Sequence, residues 1–197
     1  MNSTEWPHEV MSYLDRWKAI GFVALPDGAK LIGHVPHVAK LAYLHRVPPP
    51  LTDIELTQLE SRLGKFLPVQ LVEFYKCADG LSAFSDTLNV YGLRRSYQRS
   101  DLLAASAQPY DIGAPNSTER PSGLRFGEMV VGGYREDGSK ILVDEGGAAY
   151  RCERGNALSR LNTWPSFQKW ITSEIHRLGE LFDETGHCLR PQQILPA

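Results

Sequence analysis

Residues 48–81 read PPPLTDIELTQLESRLGKFLPVQLVEFYKCADGL, and the order of signals in this stretch decides the fold. Pro48, Pro49 and Pro50 close off whatever precedes them, because proline lacks a helix donor and restricts the residue before it. Thr52 or Asp53 then offers a short side-chain oxygen to the free N–H groups of a first helical turn. Ile54, Leu56, Leu59 and Leu63 lay an apolar stripe along that helix. Gly64 falls where a helix stops through a left-handed residue. Pro68 suits the first turn of a second helix, where its missing N–H is not needed. Leu71, Val72, Phe74 and Tyr75 give the second helix a broad apolar face, and Asp79-Gly80 is a turn signal.

Toward the N-terminus, Trp6, Val10, Tyr13, Leu14, Trp17 and Ile20 recur at helical steps over residues 5–20, with Gly21 as the stop. Phe22 to Leu25 and Lys30 to Ile32 flank Pro26-Asp27-Gly28-Ala29, a hairpin pattern. Pro36 to Arg46 is expected to form a short helix. Toward the C-terminus, Leu88 to Leu93 alternates as a strand. Asp101 to Ala107 reads as a short helix capped by Ser100, and residues 108–123 read as an exposed loop. Residues 124–134, 139–143 and 147–152 are strand candidates joined by Arg135–Gly138 and Asp144–Gly146, an antiparallel meander. A last helix is expected from Trp164 to Phe182, with Phe167, Trp170, Ile171, Ile175 and Leu178 in its apolar stripe. The strands cluster instead of alternating with helices, which disfavours a parallel Rossmann sheet. The expected class is α+β: an antiparallel sheet of about four to six strands with helices packed against it. The expected division is an N-terminal helical and hairpin extension over 1–47, a domain over 48–182, and a tail over 183–197.

Over residues 48–182 the chain resembles the SUKH superfamily, which includes fungal cell-wall-synthesis regulators and bacterial toxin-immunity proteins. The resemblance rests on Leu51, Ile54, Leu59, Glu60, Leu63, Gly64, Leu67, Pro68, Phe74, Asp79 and Gly80. The short apolar strand Leu88–Tyr91, the Gly-punctuated middle 124–151 and the closing aromatic helix follow the family's layout. Asp79-Gly80 departs from the Asn-Gly often found there, and both pairs suit a turn. The resemblance implies a SUKH-like fold and structural roles for its motif: Glu60 bonding backbone N–H groups, Asp79 shaping its turn. It also implies a non-catalytic protein-binding domain. In a bacterial setting this is a cytoplasmic immunity protein that binds and neutralises a cognate toxin, such as a nuclease. The alternative is a general protein-interaction or regulatory module of the cell-wall-synthesis-regulator type.

The chain has 197 residues, 42% of them hydrophobic, enough for a sizeable core. A net charge of -2 and a pI near 6.3 give no global pull toward nucleic acid or anionic membrane. No apolar run approaches the ~20 residues that span a bilayer, and MNSTEWPHEV lacks the basic-then-apolar order of a secretion signal. Cys77, Cys152 and Cys188 are odd in number and read as reduced thiols of a cytoplasmic protein. The sequons at Asn2 and Asn116 carry little meaning in that compartment.

Catalytic patterns are missing: there is no G-x-G-x-x-G, no phosphate-binding G-x-x-x-x-G-K-[ST] and no G-x-S-x-G. Gly132-Gly133 and Gly146-Gly147 read as turns and bulges. His34, His37 and His45 are the one histidine cluster, but Pro36 interrupts the helix a His-x-x-His pair needs, so no metal and no cofactor is expected. His187-Cys188 reads as exposed tail, and Cys77 and Cys152 as small buried hydrophobes. Glu136-Asp137 and Asp144-Glu145 read as solvated hairpin tips, not as carboxyls facing across a substrate. These acidic tips would suit a basic toxin. Tyr91, Arg94 and Arg95, with Tyr97 and Arg99, form a basic aromatic patch. It reads first as a solvated face; of the two functional readings, a protein-binding patch suits it better than a nucleic-acid surface, given the net negative charge.

Overall fold

The computed structural model describes residues 5–98 and 101–197. The amphipathic N-terminal segment folds as helix α1 (Trp6–Leu14) and tightens into a 3-10 stretch over Asp15–Ile20. Trp6, Val10, Leu14 and Trp17 are buried, as their spacing requires. Strands β1 (Phe22–Ala24) and β2 (Lys30–His34) pair antiparallel across the expected turn, where Asp27 Oδ1 accepts from the Ala29 N–H at 3.0 Å. The helix expected over Pro36–Arg46 does not form. Tyr43–Val47 is instead strand β3, paired with β2. The apolar residues that suggested a helix, Val38 and Leu41, stand exposed, while Leu44 fills the core from an extended backbone.

Helix α2 (Asp53–Leu63) starts with a capping box: the Glu55 N–H donates to Thr52 Oγ1, and Glu55 Oε2 accepts from the Thr52 N–H at 2.9 Å. Gly64 ends it at φ +66°. A side chain there would meet nothing within 4 Å, so only the left-handed backbone opposes substitution. Gly64→Ala is expected to lower the unfolding free energy by about 1 kcal/mol, read from urea midpoints, with helix content unchanged. Pro68 precedes helix α3 (Val69–Tyr75) as its N-cap, one position earlier than expected.

Strands β4 (Leu81–Ala83) and β5 (Leu88–Val90) follow. Helix α4 (Leu102–Ser106) is capped by Asp101, whose Oδ1 accepts from the Leu103 and Ala104 N–H groups; the expected cap, Ser100, lies outside the described residues. The segment expected as loop holds one helical turn, α5 (Gly113–Asn116). Asn116 pins it to the sheet by bonding both the N–H and the carbonyl of Val130. Then come β6 (Glu128–Tyr134), β7 (Lys140–Asp144), β8 (Ala149–Glu153), β9 (Asn156–Trp164) and helix α6 (Phe167–Gly179). Trp164 belongs to β9, not to the final helix, because Pro165 holds the residue before it extended.

The class is α+β, but the antiparallel sheet has nine strands among the described residues, not four to six. The increase comes from three strands beyond those expected: β3 and β4, joined through Arg46 and Ser82, and β9 from the polar segment 156–164. Each strand neighbours the next in sequence. The face under α6 holds the aromatic core: Trp6 stacks on Phe74 and meets Phe167 edge-on, with Trp170 fully buried beside them. Strand alternation puts Asn89 and Lys140, both opposite Gly133, on the other face. That face is covered in part by α4, where Leu103 and Ala107 pack on Leu31. The tail is tied down: Arg151 Nη1 donates to the Pro196 carbonyl and Arg177 to those of Gln193 and Ile194.

Candidate functional site

The turn after α3 is held by a buried carboxylate. Asp79 Oδ1 accepts from the Leu93 N–H at 2.7 Å and Oδ2 from Arg95 Nη1 at 2.8 Å. Arg95 also donates through Nε and Nη2 to Glu55 Oε1, so it ties the start of α2 to the Asp79 turn. Burial pushes the Asp79 carboxyl up to about 7, against the opposing pull of Leu93 and Arg95. Gly80, at φ +86°, lies so close to the Val90 carbonyl that a side chain would collide with it. Glu60 Oε1 accepts from the Leu67 N–H at 2.9 Å and fixes the turn between α2 and α3.

The basic aromatic patch is largely spent on internal bonds. Arg94 donates to the Ser96 and Pro109 carbonyls and lies over the Tyr97 ring, and Arg95 serves Asp79 and Glu55. Tyr91 is buried, and its hydroxyl accepts from Lys140 Nζ. Arg99 lies outside the described residues.

The acidic tips are separated. Glu136 and Asp137 occupy the β6–β7 turn, whereas Asp144 ends β7 and Glu145 opens the turn after it, so the pairs lie at opposite ends of β7, roughly 17 Å apart for a five-residue strand. Asp137 is paired with Arg151 at 2.7 Å, and Asp144 accepts from the Tyr150 hydroxyl at 2.8 Å. Glu136 and Glu145 remain exposed.

His45 is fully buried between Trp17 and Phe84, accepts from the Phe84 N–H, and is lowered to about 3 by burial. His37 stacks instead on His187. Among the described residues, no group of three or more His, Cys, Asp or Glu side chains is placed to hold a metal ion. Cys77 lies 3.5 Å from His8 Nε2, yet burial pushes its thiol up, opposite to what a thiolate nucleophile requires.

The structure assembles one surface that residue patterns did not single out. The α2–α3 turn, the loop 125–127 and the β7–β8 turn enclose a cleft of about 520 Å³, with Met129 and Val143 in its wall. Phe66, Phe126 and Val69 stand around it 88%, 84% and 74% exposed. Lys65 locks the two sides by donating to the Phe126 and Glu128 carbonyls, 3.3 and 3.0 Å away. Glu145 sits at the rim, so the motif residues Gly64, Leu67 and Pro68 share this cleft with one acidic tip. A second hollow continues from it past Gly127 to the ion pair of Arg160 with Glu128.

No family model matches this chain, and no curated protein matches it. Among the described residues, no helix is long and apolar enough to cross a membrane.

Proposed function

We propose that the chain is a non-catalytic protein-binding domain of the SUKH type, an immunity protein that captures a cognate toxin at the Phe66–Phe126 cleft. The observation that carries this reading is the set of three large apolar side chains held outward by a braced turn and a tethered loop. Contiguous exposed apolar surface marks partner sites, and aromatic anchors dominate their energetics. Bracing by Glu60 and Lys65 limits the ordering that binding must impose. Glu145 at the rim suits a partner whose apolar anchor is flanked by a cation, as on a basic nuclease. The three free thiols fit a reducing cytoplasm, where such a toxin would act.

The test uses the tagged full chain as bait in its native cell, with recovered proteins identified by mass spectrometry and assayed. The expected result is a near-stoichiometric partner whose activity the purified chain abolishes. Phe66→Ala and Phe126→Ala should each weaken that complex by about 30-fold, or about 2 kcal/mol, while circular dichroism stays unchanged. A double variant that inhibits as well as the parent would remove the cleft from the proposal. Several housekeeping partners and no inhibited activity would favour the regulatory-module reading instead.

A further inference from the structure

At the end of β7 away from the Phe66 cleft, the sheet face opposite α6 carries a hollow of about 260 Å³. Arg135, Lys140 and Arg154 line it, together with the Tyr91 and Tyr110 rings, and no carboxylate does; the Tyr134 ring at its border turns to the other face, where its hydroxyl bonds Glu174 and Trp170 of α6. Such a concentration of cations is notable in a chain of net charge -2. Lys140 is held in place from one side: Nζ donates to the Tyr91 hydroxyl at 2.8 Å. An ammonium has three N–H donors; among the described residues no carboxylate pairs with Lys140 or with Arg154. Arg154 packs across Gly138, whose missing side chain makes room for it. Arg135 reaches only a distant carboxylate, Asp86 at 3.9 Å, which already pairs with Arg46.

A second, independent feature lies in the wall of the same hollow. Asn89 is 5% exposed, and its Nδ2 donates to the Asp86 carbonyl at 2.7 Å. Its Oδ1 has no hydrogen-bond partner among the described residues. A buried acceptor without a partner is unfavourable and calls for a donor: an ordered water, or a hydroxyl or N–H of a ligand, not its phosphate. Tyr110 stands 45% exposed beside Tyr91, its ring centroid 6.1 Å away, and offers a flat apolar surface.

We propose that this hollow binds a small phosphate monoester bearing a planar ring, of the nucleoside monophosphate class. Three cations lining one hollow match a phosphate dianion better than a single carboxylate, since charge-assisted bonds are the strong ones. The tyrosine wall serves the ring by stacking. The volume falls just below the roughly 300 Å³ where drug-sized pockets begin, which suits one nucleotide and not a strand. The site shares no residue with the Phe66 cleft and stands apart from the toxin-binding reading.

Isothermal titration calorimetry of the full chain tests the proposal, with the four nucleoside monophosphates, inorganic phosphate, free nucleosides and an oligonucleotide as probes. At least one monophosphate should bind at submillimolar concentration, with inorganic phosphate and its own nucleoside each at least about tenfold weaker. Arg135→Gln and Lys140→Gln should each weaken it by about tenfold or more; the Arg135 side chain is largely exposed, so that variant leaves the fold intact. Overturning results are no heat from any monophosphate at millimolar concentration, equal binding of the free nucleoside, or insensitivity to both variants. Tighter binding of the oligonucleotide would overturn the proposal in favour of a strand-binding surface.

Discussion

Asp79→Ala is expected to lower the unfolding free energy by about 3 kcal/mol, because it removes both bonds that a fully buried carboxylate makes. The Leu93 N–H loses its acceptor at the edge of the core, whereas Arg95 keeps Glu55. The figure therefore belongs at the low end of what breaking a buried pair costs. Urea unfolding at fixed pH measures it, and a loss below about 0.5 kcal/mol would mean that backbone bonds such as Asp79 N–H to the Pro49 carbonyl hold the turn without the carboxylate. The same residue has a signature in pH. Its folded value of about 7 lies above the ordinary carboxyl value, so between about pH 4 and 7 the folded chain binds the proton that the unfolded chain has released. Stability from this group is complete below about pH 4 and declines as pH rises to about 7. His45 acts in the opposite sense: lowered to about 3, it stays neutral in the fold, and its contribution is lost as pH falls below 6.5. The two slopes oppose each other in the native chain. Asp79→Asn should unmask the histidine, so that stability rises with pH between 4 and 6.5 by up to about 1.4 kcal/mol per unit relative to the parent. Parallel profiles for parent and variant would contradict this account.

Trp170→Ala should be the most damaging single truncation, at about 4 kcal/mol. Trp170 is fully buried between Phe167 and the sheet, with Nε1 donating to the Tyr134 hydroxyl. Its ring edge rests where a side chain on Gly132 would lie, so the sheet surface beneath is bare backbone. Backbone in a paired strand cannot move inward to refill the space, and the cavity term stays near its maximum. Against a typical total of about 5–15 kcal/mol, the variant would retain only a thin margin. Its urea midpoint should fall accordingly, while Trp170→Phe should recover most of the loss. Equal midpoints for the alanine variant and the parent would show that α6 is not anchored through this residue.

Legibility in the sequence followed locality. Thr52, Gly64 and Pro68 act on backbone groups within a turn of themselves, and the helix pair they imply is present. The Asp27-Gly28 and Asp137-Gly138 turns are equally local, and their hairpins are present. Strand β9 was not legible because NALSRLNTW is mostly polar: it sits at the sheet edge, where only one side needs pairing. Pro36–Arg46 reads as a helix from its own residues, whereas pairing with neighbouring β2 makes its second half, from Tyr43, extended. The cleft was hidden for a related reason. Phe66 between Gly64 and Pro68, and Phe126 before Gly127, are apolar residues in turns without a periodic partner, and that is the local signal of an outward anchor. That the two stand over one hollow depends on Lys65 reaching the carbonyls of the 126–128 loop, a contact between distant parts of the chain.

Strand order equal to chain order bears on how the molecule is made. Most strand partners are separated by a single turn, so each hairpin closes a short loop at small entropic expense as soon as it leaves the ribosome. The cover is different. The contact of α1 with α6, and the edge-on packing of Trp6 against Phe167, join the first helix to the last. During synthesis the sheet therefore precedes its own roof, and one apolar face waits uncovered until residues 167–179 emerge. That interval, more than the finished fold, is where this chain is most open to aggregation and most in need of a chaperone.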